Sequence, residues 1–129
     1  MGSKSRSKGY GYEREIAHEL KEFFPEAKRH LEFQESDAKG FDLDNTGKYR
    51  IQCKRYKSYA PIAKIEEVHK ESGSVPVLMT RGDNKPTVVC MYLEDFKDLL
   101  REARADDNFK SAQLFEKVKM IIVDNMGER

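Results

Sequence analysis

Two short segments that alternate apolar and polar residues, joined by a four-residue turn, constrain this chain more than any other feature. Phe41, Asp42, Leu43 and Asp44 form the first segment. Tyr49, Arg50, Ile51, Gln52, Cys53, Lys54 and Arg55 form the second, and Asn45, Thr46, Gly47 and Lys48 lie between them. Alternation with period two marks a strand with one buried face, and an Asn/Gly-containing turn joins two such strands into a hairpin. A register symmetric about Gly47 puts Asp42 opposite Gln52 and sets Phe41, Leu43, Ile51 and Cys53 on a core face. Asp42, Asp44, Gln52 and Lys54 then share the other face. A slip of one residue would pair apolar with polar positions throughout, so the pattern favours this register. Opposite residues have Cβ atoms about 4.5–5.5 Å apart, which brings Asp42, Gln52 and Lys54 onto one small patch.

The rest of the chain supplies elements to pack against this hairpin. Ile16, Ala17, Leu20, Phe23 and Phe24 recur at helical spacing and predict an amphipathic helix over 12–24, ended by Pro25. Before it, residues 1–11 read as a mobile basic arm. A first strand is expected at 30–33 and a loop at 34–40. A second helix is expected over 61–72, opened by Pro61 and closed near Gly73. Strands follow at 75–80 and 87–93, then helices over 94–104 and 109–123. This order indicates an α/β fold, a mixed sheet of about five strands flanked by helices. At 129 residues the chain fits one domain, and a domain of this size buries roughly two-thirds of its unfolded surface.

The same reading excludes several classes. The longest apolar runs, 75–79 and 120–123, are too short to span a bilayer. No apolar stretch follows Lys4, Arg6 and Lys8, so they do not open a secretory signal. Cys53 and Cys90 form no metal-spaced pair. Both fall on strand-like segments as buried free thiols, which implies a reduced, cytoplasmic setting. His18, His30 and His69 are scattered and give no zinc or His-metal pattern. Gly9 and Gly11 are not followed by the Gly-Lys-Ser/Thr of a phosphate-binding loop. Leu114, Phe115, Val118, Ile121 and Ile122 form an apolar stripe suited to core packing or to a dimer seam.

The net charge is only +1, but its distribution is uneven. Lys4, Arg6 and Lys8 have no acid among them. Every charge from Lys48 to Lys64 is positive (Lys48, Arg50, Lys54, Arg55, Lys57, Lys64), while Glu94, Asp95, Asp98, Glu102, Asp106 and Asp107 gather elsewhere. One basic face on a near-neutral protein can hold a phosphate backbone. The plainer alternative is a solvated charge run with no partner.

On the first helix, Glu13 lies within the apolar stripe, one turn before Ile16 and Ala17, whereas Glu15, Glu19 and Glu22 share the solvent face. A carboxylate facing the core needs a cation, since burying an unpaired charge is costly. The alternative is a first-turn acid favoured by the helix dipole. Together with Glu13, the hairpin residues make a hard-oxygen site, in which Asp42, the side-chain carbonyl of Gln52 and one backbone carbonyl near Cys53 can hold Mg²⁺, with waters completing the octahedron and Mn²⁺ able to substitute. Such an ion would polarise a scissile phosphate. Lys54, on the same face, would orient or deprotonate the attacking water and stabilise developing charge.

At these residues the sequence resembles the PD-(D/E)xK nuclease superfamily. The resemblance rests on Glu13-Arg14-Glu15, on Gly40-Phe41-Asp42-Leu43 and on Ile51-Gln52-Cys53-Lys54-Arg55, and spans about residues 8–93. Archaeal-type Holliday-junction resolvases have a basic arm, a similar Glu-Arg-Glu opening, a later Gly-x-Pro-Val-Leu strand and a serine before the aspartate strand. Here Ser72-Gly73-Ser74-Val75-Pro76-Val77-Leu78 is similar to that later strand, and Ser36 occupies roughly the place of that serine. Mrr-type restriction endonucleases carry Gln-x-Lys-Arg, which Gln52-Cys53-Lys54-Arg55 matches more literally. The resemblance implies a restriction-endonuclease-like fold, with Glu13, Asp42 and Gln52 as metal ligands and Lys54 as the catalytic lysine. The departure is Gln52, where resolvases have Glu. Gln keeps the oxygen and loses a charge, and Gln52→Glu is expected to keep or raise metal affinity and activity.

The function expected from these readings is a Mg²⁺-dependent, structure-selective DNA endonuclease of DNA recombination and repair. The first choice is a Holliday-junction resolvase of phage or prophage type. No room remains for the separate DNA-reading domain usual in Mrr-type enzymes. Two strands of a two-fold symmetric junction must be cut, so a homodimer is expected. Lys4, Arg6, Lys8, Ser36, Lys39, Arg55 and Lys57 are expected at the DNA, and Tyr56 and Tyr59 pack or stack. Neither a small-molecule cofactor nor a membrane is implied. The alternatives are an Mrr-like duplex or flap endonuclease and a DNA-binding module whose nuclease centre has decayed at Gln52.

Overall fold

A computed structural model of the chain describes residues 2–31 and 40–127. It is a mixed α/β structure with a two-stranded and a three-stranded sheet. The chain divides into two compact units, Met1–Tyr92 and Leu93–Arg129.

The first unit opens with helix α1, Gly2–Leu20. The segment read as a mobile arm is thus helical, and the helix stops before Phe24. Ser, Lys and Arg cost less than about 0.7 kcal/mol each in a helix and Gly about 1 kcal/mol, so Gly9 and Gly11 weaken the extension without forbidding it. At the other end, the N–H groups of Phe23 and Phe24 both donate to Leu20 O, at 2.9 and 2.8 Å, closing the helix ahead of Pro25. Phe23 is left exposed, and Phe24 turns onto the Tyr49 ring.

Strand β1, Lys28–Arg29, pairs antiparallel with β2, Leu43–Asp44. The expected first strand at 30–33 therefore forms two residues earlier, and 32–39 lie outside the described residues. The second sheet has the order β3-β4-β5, formed by Tyr49–Arg55, Val75–Arg81 and Val88–Cys90. β3 and β4 run parallel, with Ile51 beside Val77 and Gln52 beside Leu78, and β5 returns antiparallel. The expected single sheet is split in two.

The helix expected over 61–72 is instead a 3-10 helix, Ile62–Glu67. Its apolar residues, Ile62, Ile65 and Val68, recur every three positions, the period of a 3-10 rather than an α-helix. Lys64 N–H donates to Pro61 O and Val68 N–H to Ile65 O, both three residues back.

The hairpin register differs from the expected one. Asp42 N–H donates to Ile51 O at 2.8 Å, so the backbone contact is 42 with 51 rather than 42 with 52. Cys53 N–H donates to Asp42 Oδ2 at 2.7 Å, so a side chain replaces the next rung of a ladder. With β2 only two residues long, the slip does not propagate. Leu43 stays in the core, while Phe41 leaves it and lies 5.2 Å from the His30 ring. The wide turn is held by Thr46, whose hydroxyl donates to Tyr49 O at 2.7 Å, and has Asn45 and Gly47 in the left-handed region.

The core lies between α1 and the sheets. Tyr12, Ile16 and Ala17 pack onto Leu43, Ile51, Cys53 and Val77. This packing sets the rotation of α1 and so the direction of Glu13, one residue beyond Tyr12.

The second unit is one helix, α2, Leu93–Gly127. It replaces the two helices expected there, because residues 105–108 contain neither Gly nor Pro, and Lys110 pairs with Asp106 one turn back at 3.0 Å. The side chains of the 114–122 stripe lie outside the described residues. No helix among the described residues is long and apolar enough to cross a membrane.

Candidate active site

The sequence-predicted quartet converges. Glu13, Asp42, Gln52 and Lys54 line one cleft of about 300 Å³ together with Tyr10, Arg29, His30, Gly40, Phe41 and Glu67. Glu13, Asp42 and Lys54 also line a second cleft of about 580 Å³, whose other walls include Arg55, Tyr56 and Lys57. The three residues therefore stand where two openings meet.

Asp42 is placed by its backbone. His30 N–H donates to its carbonyl at 2.7 Å, and its own N–H is held by Ile51. Burial raises the Asp42 carboxyl above its usual range, opposed by the Cys53 N–H and by Lys54. Glu13 comes from α1 with a side chain 12% exposed, and Arg29 Nη1 lies 3.6 Å from Oε2. Burial, and then the charge of Asp42, push the Glu13 carboxyl up to about 7, against the pull of Arg29 and Lys54. Two carboxylates that each resist ionisation, one of them raised by the other's charge, form a place that favours an added cation.

Gln52 contributes a different feature. It is 3% exposed, and its Nε2 donates to Glu67 Oε2 at 2.7 Å. Its Oε1 is buried with no hydrogen-bond partner among the described residues. A buried carbonyl oxygen left unsatisfied costs about 1–3 kcal/mol and calls for a partner. Lys54 stands two residues along β3, with Nζ 3.6 Å from the same Glu67 oxygen. Among the described residues, no three of His, Cys, Asp or Glu form a metal-binding group. The donor set here is two carboxylates and an amide oxygen, and these hard oxygens suit a divalent cation of the Mg²⁺ kind.

The expected DNA contacts divide into three groups. Arg55 and Lys57 line the second cleft, and Arg55 Nη2 lies 3.8 Å from Asp83 Oδ1. Lys4, Arg6 and Lys8 fall in α1, but their side chains are outside the described part. Ser36 and Lys39 also lie outside the described residues. Tyr59 packs, its hydroxyl donating to Pro86 O at 3.0 Å, while Tyr56 is exposed on the cleft wall.

Tyr10, Arg29, His30 and Glu67 line the cleft and escape the sequence reading as site residues. Arg29 and His30 stand next to or at the edge of the segment read as a strand, and His30 Nδ1 lies 2.8 Å from Asp44 Oδ1. Glu67 reads as an ordinary exposed acid on a surface helix. Its one sequence signal is Lys64, three residues before, which does pair with it at 2.8 Å.

Compared with known proteins, the chain matches no family model, no curated protein and no solved structure.

Proposed function

We propose that this chain is a Mg²⁺-dependent DNA endonuclease with a restriction-endonuclease-like core, acting as a homodimer on four-way DNA junctions in the cytoplasm. One observation carries the reading. Two half-buried carboxylates, Glu13 and Asp42, share a cleft with Lys54 and with Gln52, whose buried amide oxygen Oε1 has no partner among the described residues. The resemblance to PD-(D/E)xK nucleases in residues 8–93 supplies the substrate class. Glu13, Asp42 and Gln52 would hold the ion, which would act as a Lewis acid on the scissile phosphate.

The chain's own groups have defined tasks in that reading. Asp42 lines the cleft and is fixed by the Cys53 N–H through one of its two oxygens. Lys54 positions the attacking water and offsets charge that develops on the phosphate oxygens. Arg55 and Lys57, on the wall of the second cleft, hold flanking phosphates. Binding is then steeply salt-dependent, because each neutralised phosphate releases counterion.

The test is a junction assay with Mg²⁺ or Mn²⁺. The expected result is symmetric paired nicks in a four-way junction, intact duplex, and loss of cleavage in Asp42→Asn and Lys54→Ala. Cleavage of duplex or flap DNA in preference to the junction would move the reading to an Mrr-like enzyme. No metal-dependent cleavage of any of these substrates would leave a DNA-binding module.

A further inference from the structure

Resting on that proposed function, we infer that Glu67 is a positioning residue that locks the Gln52 amide with its oxygen toward the cation site and tethers Lys54 beside it. The two ends of a glutamine amide are nearly equal in shape and opposite in hydrogen-bonding sense. Beside two carboxylates, a free amide turns its NH₂ toward them. That orientation would fill the site with donors and exclude a cation.

Glu67 prevents this. Its carboxylate, paired with the Lys64 ammonium, is an acceptor only, so the group it meets must be the Gln52 NH₂. The contact is 2.7 Å, Gln52 is 3% exposed, and Oε1 is thereby left buried and unpartnered among the described residues. The same Glu67 oxygen lies 3.6 Å from Lys54 Nζ, while its other oxygen takes the Lys64 ammonium at 2.8 Å. Lys64 anchors the lock, and Glu67 orients both Gln52 and Lys54.

The backbone enforces the placement. Gly40 packs so tightly on the Glu67 carbonyl that a Cβ there would overlap the oxygen. The segment that leads into Asp42 and the 3-10 helix that carries Glu67 are therefore in direct contact. The need for the lock is specific to glutamine. A glutamate at position 52 presents oxygen in either orientation and would repel Glu67.

This specificity gives the test. Mn²⁺ is titrated calorimetrically into the full chain as wild type, Glu67→Ala, Gln52→Glu and the double variant. Glu67 has a side chain 43% exposed, so truncation leaves the fold in place. In the wild-type background, Glu67→Ala is expected to weaken Mn²⁺ binding by about 10–100-fold, the usual effect of freeing a group that orients a ligand. In the Gln52→Glu background, the same truncation is expected to leave affinity unchanged or to raise it. Equal weakening in both backgrounds, or none in the wild-type background, overturns the lock. A metal-free readout stands beside it. The Gln52 side-chain amide signals in ¹⁵N-labelled protein are expected to shift and to exchange faster with solvent in Glu67→Ala. Identical signals overturn the lock. Absence of Mn²⁺ binding by the wild type would overturn the proposed function instead, and the amide signals alone would then decide the lock.

Discussion

Removing the charge of Glu13 should stabilise the metal-free protein above neutral pH. The Glu13 carboxyl rises from 4.5 to about 7 on folding, because burial and then the charge of Asp42 disfavour its ionised form. A raised acid favours the folded state while both states are protonated, below about pH 4.5. That contribution is lost as pH climbs through about 7, because the unfolded chain ionises first. At about 1.4 kcal/mol per pH unit, the whole effect is about 3 kcal/mol, and about 2.5 kcal/mol of it develops between pH 5 and pH 8. Glu13→Gln has no such titration. The ion pair with Arg29, at 3.6 Å, forms only as Glu13 ionises and is already counted in the value of about 7, which it pulls down. Urea unfolding of both proteins at pH 5 and pH 8, with chelator present, is the assay. The stability of the wild type relative to the variant should fall by about 2.5 kcal/mol between the two pH values. A difference that stays constant, or that moves in favour of the wild type, would refute the reasoning. Mg²⁺ at a hundred times its Kd should then return about 2.7 kcal/mol, and to the wild type above all.

Three other outcomes follow from the same geometry. Asp42→Ala leaves the Cys53 N–H without its acceptor and should cost about 1–3 kcal/mol in urea unfolding. Asp42→Asn keeps an acceptor oxygen there and should cost less, and under the proposed function both variants should lose cleavage. Gly40→Ala forces a side chain into a left-handed residue, φ 77°, and against the Glu67 carbonyl. The conformational cost alone is about 1–2 kcal/mol, so a total of at least about 2 kcal/mol is expected, with weakened Mn²⁺ binding. Arg55→Ala and Lys57→Ala should each lower the slope of log Kd against log salt for junction DNA by about one, measured by fluorescence anisotropy. An unchanged slope in both would remove the second cleft from the DNA path.

The candidate quartet is legible in the sequence because its members lie in or beside elements with clear periodicity. Ile16 and Ala17 fix the buried face of α1 and so aim Glu13. Ile51 and Cys53 fix one face of β3, which turns Gln52 and Lys54 to the other. The strand register is legible only in part. The alternation requires Leu43 to be buried, and it is, but it cannot foresee a carboxylate standing in for a ladder acceptor. The 3-10 helix is hard to tell apart because apolar spacing of three over seven residues resembles helical spacing of three and four. Glu67 is invisible for a topological reason. It reaches the site only through the parallel crossover between β3 and β4, a pairing that no local pattern encodes. The start of α1 is obscured by Gly9 and Gly11, which read as loop.

The occurrence of glutamine at position 52 follows from burial as much as from chemistry. Gln52 is among the least exposed residues of the cleft, at 3%, and its amide nitrogen touches a carboxylate oxygen at 2.7 Å. A glutamate there would add a third negative group beside Glu13 and Asp42, both already raised by burial, and would face Glu67 across the same short distance. Without a bound cation, that arrangement crowds like charges that Arg29 and Lys54 offset only in part, which is costlier than one unsatisfied amide oxygen. In the proposed site the amide would supply a ligand oxygen with no net charge, so the metal-free fold would be spared while affinity for the ion would be lowered. Glu67 then belongs to the exchange. A neutral ligand that can turn either way needs a fixed acceptor behind it, and a carboxylate held in place by Lys64 is a suitable one. The substitution that makes position 52 look weakest as a nuclease signature is, in this structure, one half of a pair.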